Sequence, residues 1–99
     1  MEIVELQQPQ LAKSVDGIVI DPSGAALPGV TVEERSADWK TVVRSTETHE
    51  NGRFHFSRER KESTYNLQFY RAGFNWLRLT AQLDRTAKKM VTVKMPIGT

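Results

Sequence analysis

The sequence contains no cysteine, which excludes a disulfide framework and thiolate-ligated metal sites. It has no run of about 18 apolar residues, so no segment is suited to cross a membrane as a helix. Only two histidines are present, His49 and His55, which leaves little material for acid–base or metal chemistry. The opening stretch MEIVELQQPQ lacks both the Lys or Arg and the apolar core of a signal peptide. The expectation is a cytoplasmic chain, a mature product or a fragment of a longer protein. A helical apolar period is missing as well. Ala81 to Lys89 has the best helix propensity, but one apolar turn is too little to nucleate a helix by itself.

What is present is one domain's worth of chain, 99 residues. A domain of this size buries roughly two-thirds of the surface its unfolded chain exposes, enough for a core without staples. The formal charge of +2 is unevenly placed: beyond Ser63, six bases (Arg71, Arg78, Arg85, Lys88, Lys89, Lys94) face the single acid Asp84. Such asymmetry marks either a surface for an acidic partner or solvated outward positions on strands.

The strand signal is strong. VDGIVID, over roughly 13–21, reads as a first strand buried on both faces or placed inside a sheet. Val30 and Val32 alternate with Thr31 and Glu33 in a second. Thr41 to Thr48 reads as a third, with Val43 inward. Phe54 and Phe56 belong to a fourth, and Tyr65, Leu67 and Phe69 to a fifth. Leu77 and Leu79 alternate with Arg78 and Thr80 in a sixth, Trp76 to Leu83. Val91, Val93 and Met95 form a seventh. Asn51-Gly52 signals a hairpin turn, since both residues tolerate positive φ. Ala72-Gly73 marks a second tight reversal, and Asp21-Pro22-Ser23-Gly24 and Leu27-Pro28-Gly29 are further turns. Seven short strands at this spacing point to an all-β antiparallel sandwich. Residues 1–12 read as a loose arm or an added edge strand (Ile3, Val4, Leu6) ended by Pro9. The sandwich spans 13–95, and 96–99 form a tail.

GIVIDPSGAALPGVTV, the Thr-x-x-Asn-Gly-Arg-Phe-x-Phe run and Tyr-x-Leu-x-Phe-x-x-x-Gly-Phe together resemble the carboxypeptidase regulatory-like domain. The resemblance covers about residues 13 to 95. It implies the transthyretin-like (prealbumin-like) Greek-key sandwich, in which Leu27 plugs one end and Gly17 and Gly29 allow close packing or positive φ. It also implies an accessory module with no catalytic residues or cofactor to carry over, in a bacterial exported or cell-envelope protein.

Chemical alternatives find few supporting residues. The hydroxyisourate hydrolase branch of the transthyretin-like fold ends in a Tyr-Arg-Gly-Ser tail; this chain ends Lys94-Met95-Pro96-Ile97-Gly98-Thr99. His49 and His55 read as surface residues with no evident orienting partner. His49 with Glu47 and Glu50 is the closest approach to a metal cluster, and Asp16 and Asp21 lack calcium-loop spacing. Lys13 stands where a related adhesin family forms an isopeptide crosslink, but no Asn or Asp follows Asp84. Arg71, Arg78, Lys88, Lys89 and Lys94 with Tyr70 and Trp76 sketch a single-strand nucleic-acid groove that matches no named module.

The aromatics are better clues. Trp39 lies in the Ser-Ala-Asp-Trp-Lys connection, and Trp76 is out of phase with Leu77 and Leu79. Exposed tryptophans suit protein contacts or stacking on sugar rings, and the bland alternative has them cap the sandwich. The expectation is a non-catalytic module that binds a protein or glycan partner through Trp39, Tyr70, Arg71, Phe74, Trp76 and Arg78, on loop aromatics and a basic sheet face. The competing expectation is a structural spacer, or a homo-oligomer formed through edge strands.

Overall fold

Apolar–polar alternation becomes inside–outside alternation, because successive side chains on a strand point to opposite faces of the sheet. The computed structural model describes residues 3–5, 9–57, 63–84 and 86–98. Among them lie nine strands and no helix: β1 (Ile3–Glu5), β2 (Gln10–Ala12), β3 (Asp16–Ile20), β4 (Thr31–Arg35), β5 (Val42–Glu47), β6 (Arg53–His55), β7 (Thr64–Tyr70), β8 (Trp76–Leu83) and β9 (Val91–Lys94). The larger sheet has the order β1-β8-β7-β4-β5, with β2 also on β8; the smaller has the order β6-β3-β9. Val32, Leu67, Phe69, Leu77 and Leu79 of the first face Val19, Phe54, Val91 and Val93 of the second in one buried cluster. Phe54 meets Phe69 edge to face at 5.6 Å, a geometry that adds to the gain from area burial.

Strand count and direction differ from the simple antiparallel expectation of seven. The two extra strands are β1 and β2, and both run parallel to β8. β3 and β9 are also parallel, with Gly17 opposite Val91 and Val19 opposite Val93. β3 is the middle strand of its sheet, so the inner-strand alternative holds; Val19 is buried while Ile18 and Ile20 are half-buried on the other face.

The Asn51-Gly52 turn does not close a hairpin. β5 lies in the larger sheet and β6 in the smaller, so the turn carries the chain across the sandwich. Gly52 has φ 76° and its amide donates to the His49 carbonyl at 2.9 Å. A Cβ on Gly52 would stand 2.6 Å from the Val19 carbonyl oxygen, so the turn packs directly onto β3. Gly17 is required for a different reason: a Cβ there would lie 2.5 Å from the Phe54 ring and from the Val91 carbonyl. Leu27 is buried near the same crossing, and the buried Thr48 hydroxyl ties the two turns by donating to its carbonyl at 2.7 Å.

Val43 points outward, contrary to expectation; Val42 and Val43 are 43% and 42% exposed. The register is irregular between Glu34 and Arg35, and Arg44 takes the inner position opposite Glu34. Its Nε donates to the buried Glu34 carboxylate at 2.8 Å, its guanidinium lies 4.8 Å from the Phe56 ring centre, and Nη1 reaches the Ser57 carbonyl. This edge is therefore filled by an ion pair roofed over an aromatic ring.

The two ends of the chain meet the edge of β8. β1 pairs with its start, β2 with its end, and Phe74 just before it bridges to Ile97. The Gln10 side-chain amide both donates to and accepts from the Thr92 backbone, at 3.0 and 2.7 Å, and so joins β2 to the smaller sheet. Covering strand edges in this way suppresses unwanted pairing. The arm position Leu6 falls outside the described residues.

Candidate functional site

The outer face of the larger sheet gathers side chains from β1, β8, β7 and β4. One row across the strands reads Glu5, Arg78, Gln68, Glu33; the next reads Thr80, Asn66, Arg35. Tyr70 and Trp76 stand together at one end of the face, edge to face with ring centres 4.6 Å apart.

Over this face folds the β4–β5 connection carrying Trp39. Its turn is built locally: the Ser36 hydroxyl donates to Asp38 Oδ1 at 2.6 Å, and the Lys40 amide donates to the same oxygen at 3.0 Å. These two hydrogen bonds, the Ser36 hydroxyl foremost, hold the Asp38 carboxyl below its ordinary pKa. Trp39 then adopts φ 67°, the only non-glycine residue among those described with positive φ. Such backbone in a bulky residue is strained and is kept where the surroundings over-determine it.

Those surroundings are two arginines. Arg78 lies over the indole with its guanidinium carbon 5.0 Å from the ring centre. Arg35 donates from Nη1 to the Trp39 carbonyl at 3.0 Å and from Nη2 to Glu33 at 2.7 Å and to the Tyr70 hydroxyl at 2.6 Å. Arg78 in turn donates from Nε to Gln68 Oε1 and from Nη1 to Glu5 Oε1, both at 3.2 Å. Asn66 donates from Nδ2 to the Ser36 carbonyl at 3.1 Å, and its Oδ1 accepts from the Thr80 hydroxyl at 3.0 Å, which pins the root of the loop. Beneath this layer Gln68 is only 2% exposed although it sits on the outward side of its strand. Partial burial, reinforced by Glu33, raises the Tyr70 phenol pKa above its ordinary value. Hydrogen bonding to Glu33 is the largest cause that raises the Arg35 pKa.

The structure thus brings four of the six sequence candidates together: Trp39, Tyr70, Trp76 and Arg78. Arg71 and Phe74 lie instead in the β7–β8 turn. Arg71 sits 5.6 Å from the centre of the Phe74 ring, which is half-buried and packs against the core. Sequence reasoning missed Arg35, Glu33, Gln68 and Glu5. The only available signal was that Glu33 and Arg35, two apart on a strand, must share a face.

Among the described residues the bases of the C-terminal run do not gather on one sheet face. Arg78 is paired with Glu5 and Arg35 with Glu33. Lys94 is paired in register with Ile20 on the smaller sheet. Lys88 and Lys89 sit on the β8–β9 connection, beside an open cleft of about 290 Å³ shared with Leu11 and Ala87. The described bases of this run are scattered because neighbouring residues alternate faces and β8 and β9 belong to different sheets.

His55 does have a partner. Its Nδ1 contacts Asp16 Oδ1, and the other Asp16 oxygen accepts the Ser14 hydroxyl at 2.7 Å. The hydroxyl donates to the carboxylate and not to the imidazole, so the three groups do not form the hydroxyl–imidazole–carboxylate order of a nucleophile oriented by a histidine. Among the described residues, no group of three or more His, Cys, Asp or Glu converges as a metal site, and no helix is long and apolar enough to cross a membrane.

A family model of the carboxypeptidase regulatory-like domain matches residues 14–96, which is β3 through β9 and the segment just beyond. No curated protein matches the chain.

Proposed function

This chain belongs to the carboxypeptidase regulatory-like domain family, whose members are non-catalytic modules, and from that premise we propose that it binds a protein or glycan partner as an accessory module of an exported or cell-envelope protein. The binding surface is the outer face of the larger sheet, centred on Trp39 with Trp76, Tyr70 and Arg78. One observation carries this reading: Trp39 is held in a left-handed conformation by Arg35 and Arg78. A core has no use for such a residue, whereas a pre-ordered aromatic offers a partner much apolar area at little entropic cost.

The test compares the parent domain with Trp39→Ala, Trp76→Ala and Arg78→Ala on a glycan array and in crosslinking to envelope extract. Partners or sugars should be lost in these variants and kept in Arg71→Ala. An unchanged set of ligands in all three would sink the proposal.

A second reading has its own observation. β5 is a six-residue edge strand with Val42 and Val43 turned outward, the kind of edge that pairs with another strand. Sedimentation velocity over a hundredfold range of concentration separates the readings, since a stable dimer favours edge pairing of copies.

A further inference from the structure

The N-terminal arm lies outside the region that matches the family, which begins at residue 14. Yet β1 is hydrogen-bonded to β8 beside Trp76 and Arg78, with Glu5 opposite Arg78. Arg78 is held at two points. Its Nε is fixed by Gln68, which is buried, and its Nη1 is fixed by Glu5. A single hydrogen bond at Nε leaves the guanidinium plane free to swing about the side chain; a second at Nη1 sets its orientation. Stacking on an indole depends on that orientation, because the cation is attracted by the ring's face.

We propose that the arm is a working part of the binding face and that Glu5 is its positioning residue: it orients Arg78 and, through Arg78, the ring of Trp39. This rests on the outer face being the binding surface, but its own test does not use a partner. The Glu5 side chain is 59% exposed and β1 is only three residues long. The restraint is therefore weak and salt-sensitive. Whatever displaces β1 from β8 removes this restraint on Arg78 and so loosens the Trp39 ring, while the Arg35 bond to the Trp39 carbonyl stays in place.

The chain has two tryptophans, so in a Trp76→Phe background the fluorescence reports Trp39 alone. Quenching by acrylamide, which is uncharged, measures how freely the ring is reached. Glu5→Ala should raise the Trp39 quenching constant by a factor of about two, within what an exposed ion pair can shift. Deleting residues 2–8 should do at least as much. Glu5→Gln keeps an acceptor for Nη1 and should fall between. Molar sodium chloride should raise quenching in the parent and leave Glu5→Ala unchanged. In a Trp39→Phe background, Glu5→Ala should leave Trp76 quenching as it was.

Far-UV circular dichroism establishes that each variant is folded; the salt arm uses the parent and stands even where a variant is not. Parent-like Trp39 quenching in Glu5→Ala overturns the assignment, and so does a response to the deletion alone. If Trp39 responds but Trp39→Ala keeps every partner, the binding-face reading falls, and what stands is that Glu5 positions Arg78 and the Trp39 ring.

Discussion

Replacing Trp39 with glycine is expected to leave a more stable domain than replacing it with alanine, the reverse of the usual order. At φ 67° an L-residue crowds its Cβ against the following carbonyl, at a cost of about 1–2 kcal/mol. Both variants lose the indole and its contact with Arg78, so those losses cancel in the comparison. Both keep the backbone carbonyl that accepts from Arg35. What separates them is one Cβ in the left-handed region. Glycine removes that strain, but its looser unfolded chain offsets about 0.4–1 kcal/mol of the gain. The balance is roughly 0.5–1 kcal/mol in favour of glycine, or about 2–8 °C in melting midpoint for a domain of this size. Thermal and urea unfolding followed by far-UV circular dichroism measures it without relying on the lost fluorophore. Ser45, exposed on β5, is the control: there glycine should fall below alanine by about 0.5–1 kcal/mol. If Trp39→Ala proves as stable as Trp39→Gly, no strain is held at this position and the basis for calling it a functional residue fails.

Thr48 is buried, and its hydroxyl accepts from the Val30 amide at 2.9 Å while donating to the Leu27 carbonyl at 2.7 Å. Thr48→Val keeps the shape and strands both groups, so urea unfolding should show a loss of about 1–3 kcal/mol, with Thr48→Ser far milder; near-parent stability for the valine variant would refute the link. The Tyr70 phenol, pushed above its ordinary value near 10 by partial burial and by Glu33, gives a pH dependence. The folded pKa exceeds the unfolded one, so this contribution to stability is fully present below about pH 10 and is lost as pH rises through the folded value. Spectrophotometric titration of Tyr65→Phe, which leaves Tyr70 as the sole tyrosine, should place its midpoint alkaline of a free phenol; a midpoint at or below it would contradict the geometry.

The core was almost fully legible. Tyr65, Leu67 and Phe69, then Leu77 and Leu79, then Val91, Val93 and Met95 are buried as their alternation requires. Val43 broke the pattern because a register shift beside Arg35 lets Arg44 turn inward to meet Glu34. The Asn51-Gly52 signal located a turn but not its destination, since the same backbone conformation serves a hairpin or a crossing between sheets. Of the proposed binding face, Trp39, Tyr70, Trp76 and Arg78 could be singled out as outward or loop residues. Their grouping could not, and neither could the exclusion of Arg71 and Phe74.

The sequence alone determined which apolar residues of β7, β8 and β9 point inward, where the chain turns and to which family the domain belongs. These depend on the two-residue period of a strand and on the φ preferences of Gly, Pro and Asn, both local properties of the backbone. The tertiary structure decided that β3 and β9 run side by side in parallel, that the arm pairs with β8, and that Glu5, Arg78 and Trp39 touch. It also decided that Arg78, Lys88, Lys89 and Lys94 are spread over different elements. These outcomes depend on register and sheet membership, which are settled by packing and hydrogen bonding between segments far apart in the chain, and no local pattern carries that information.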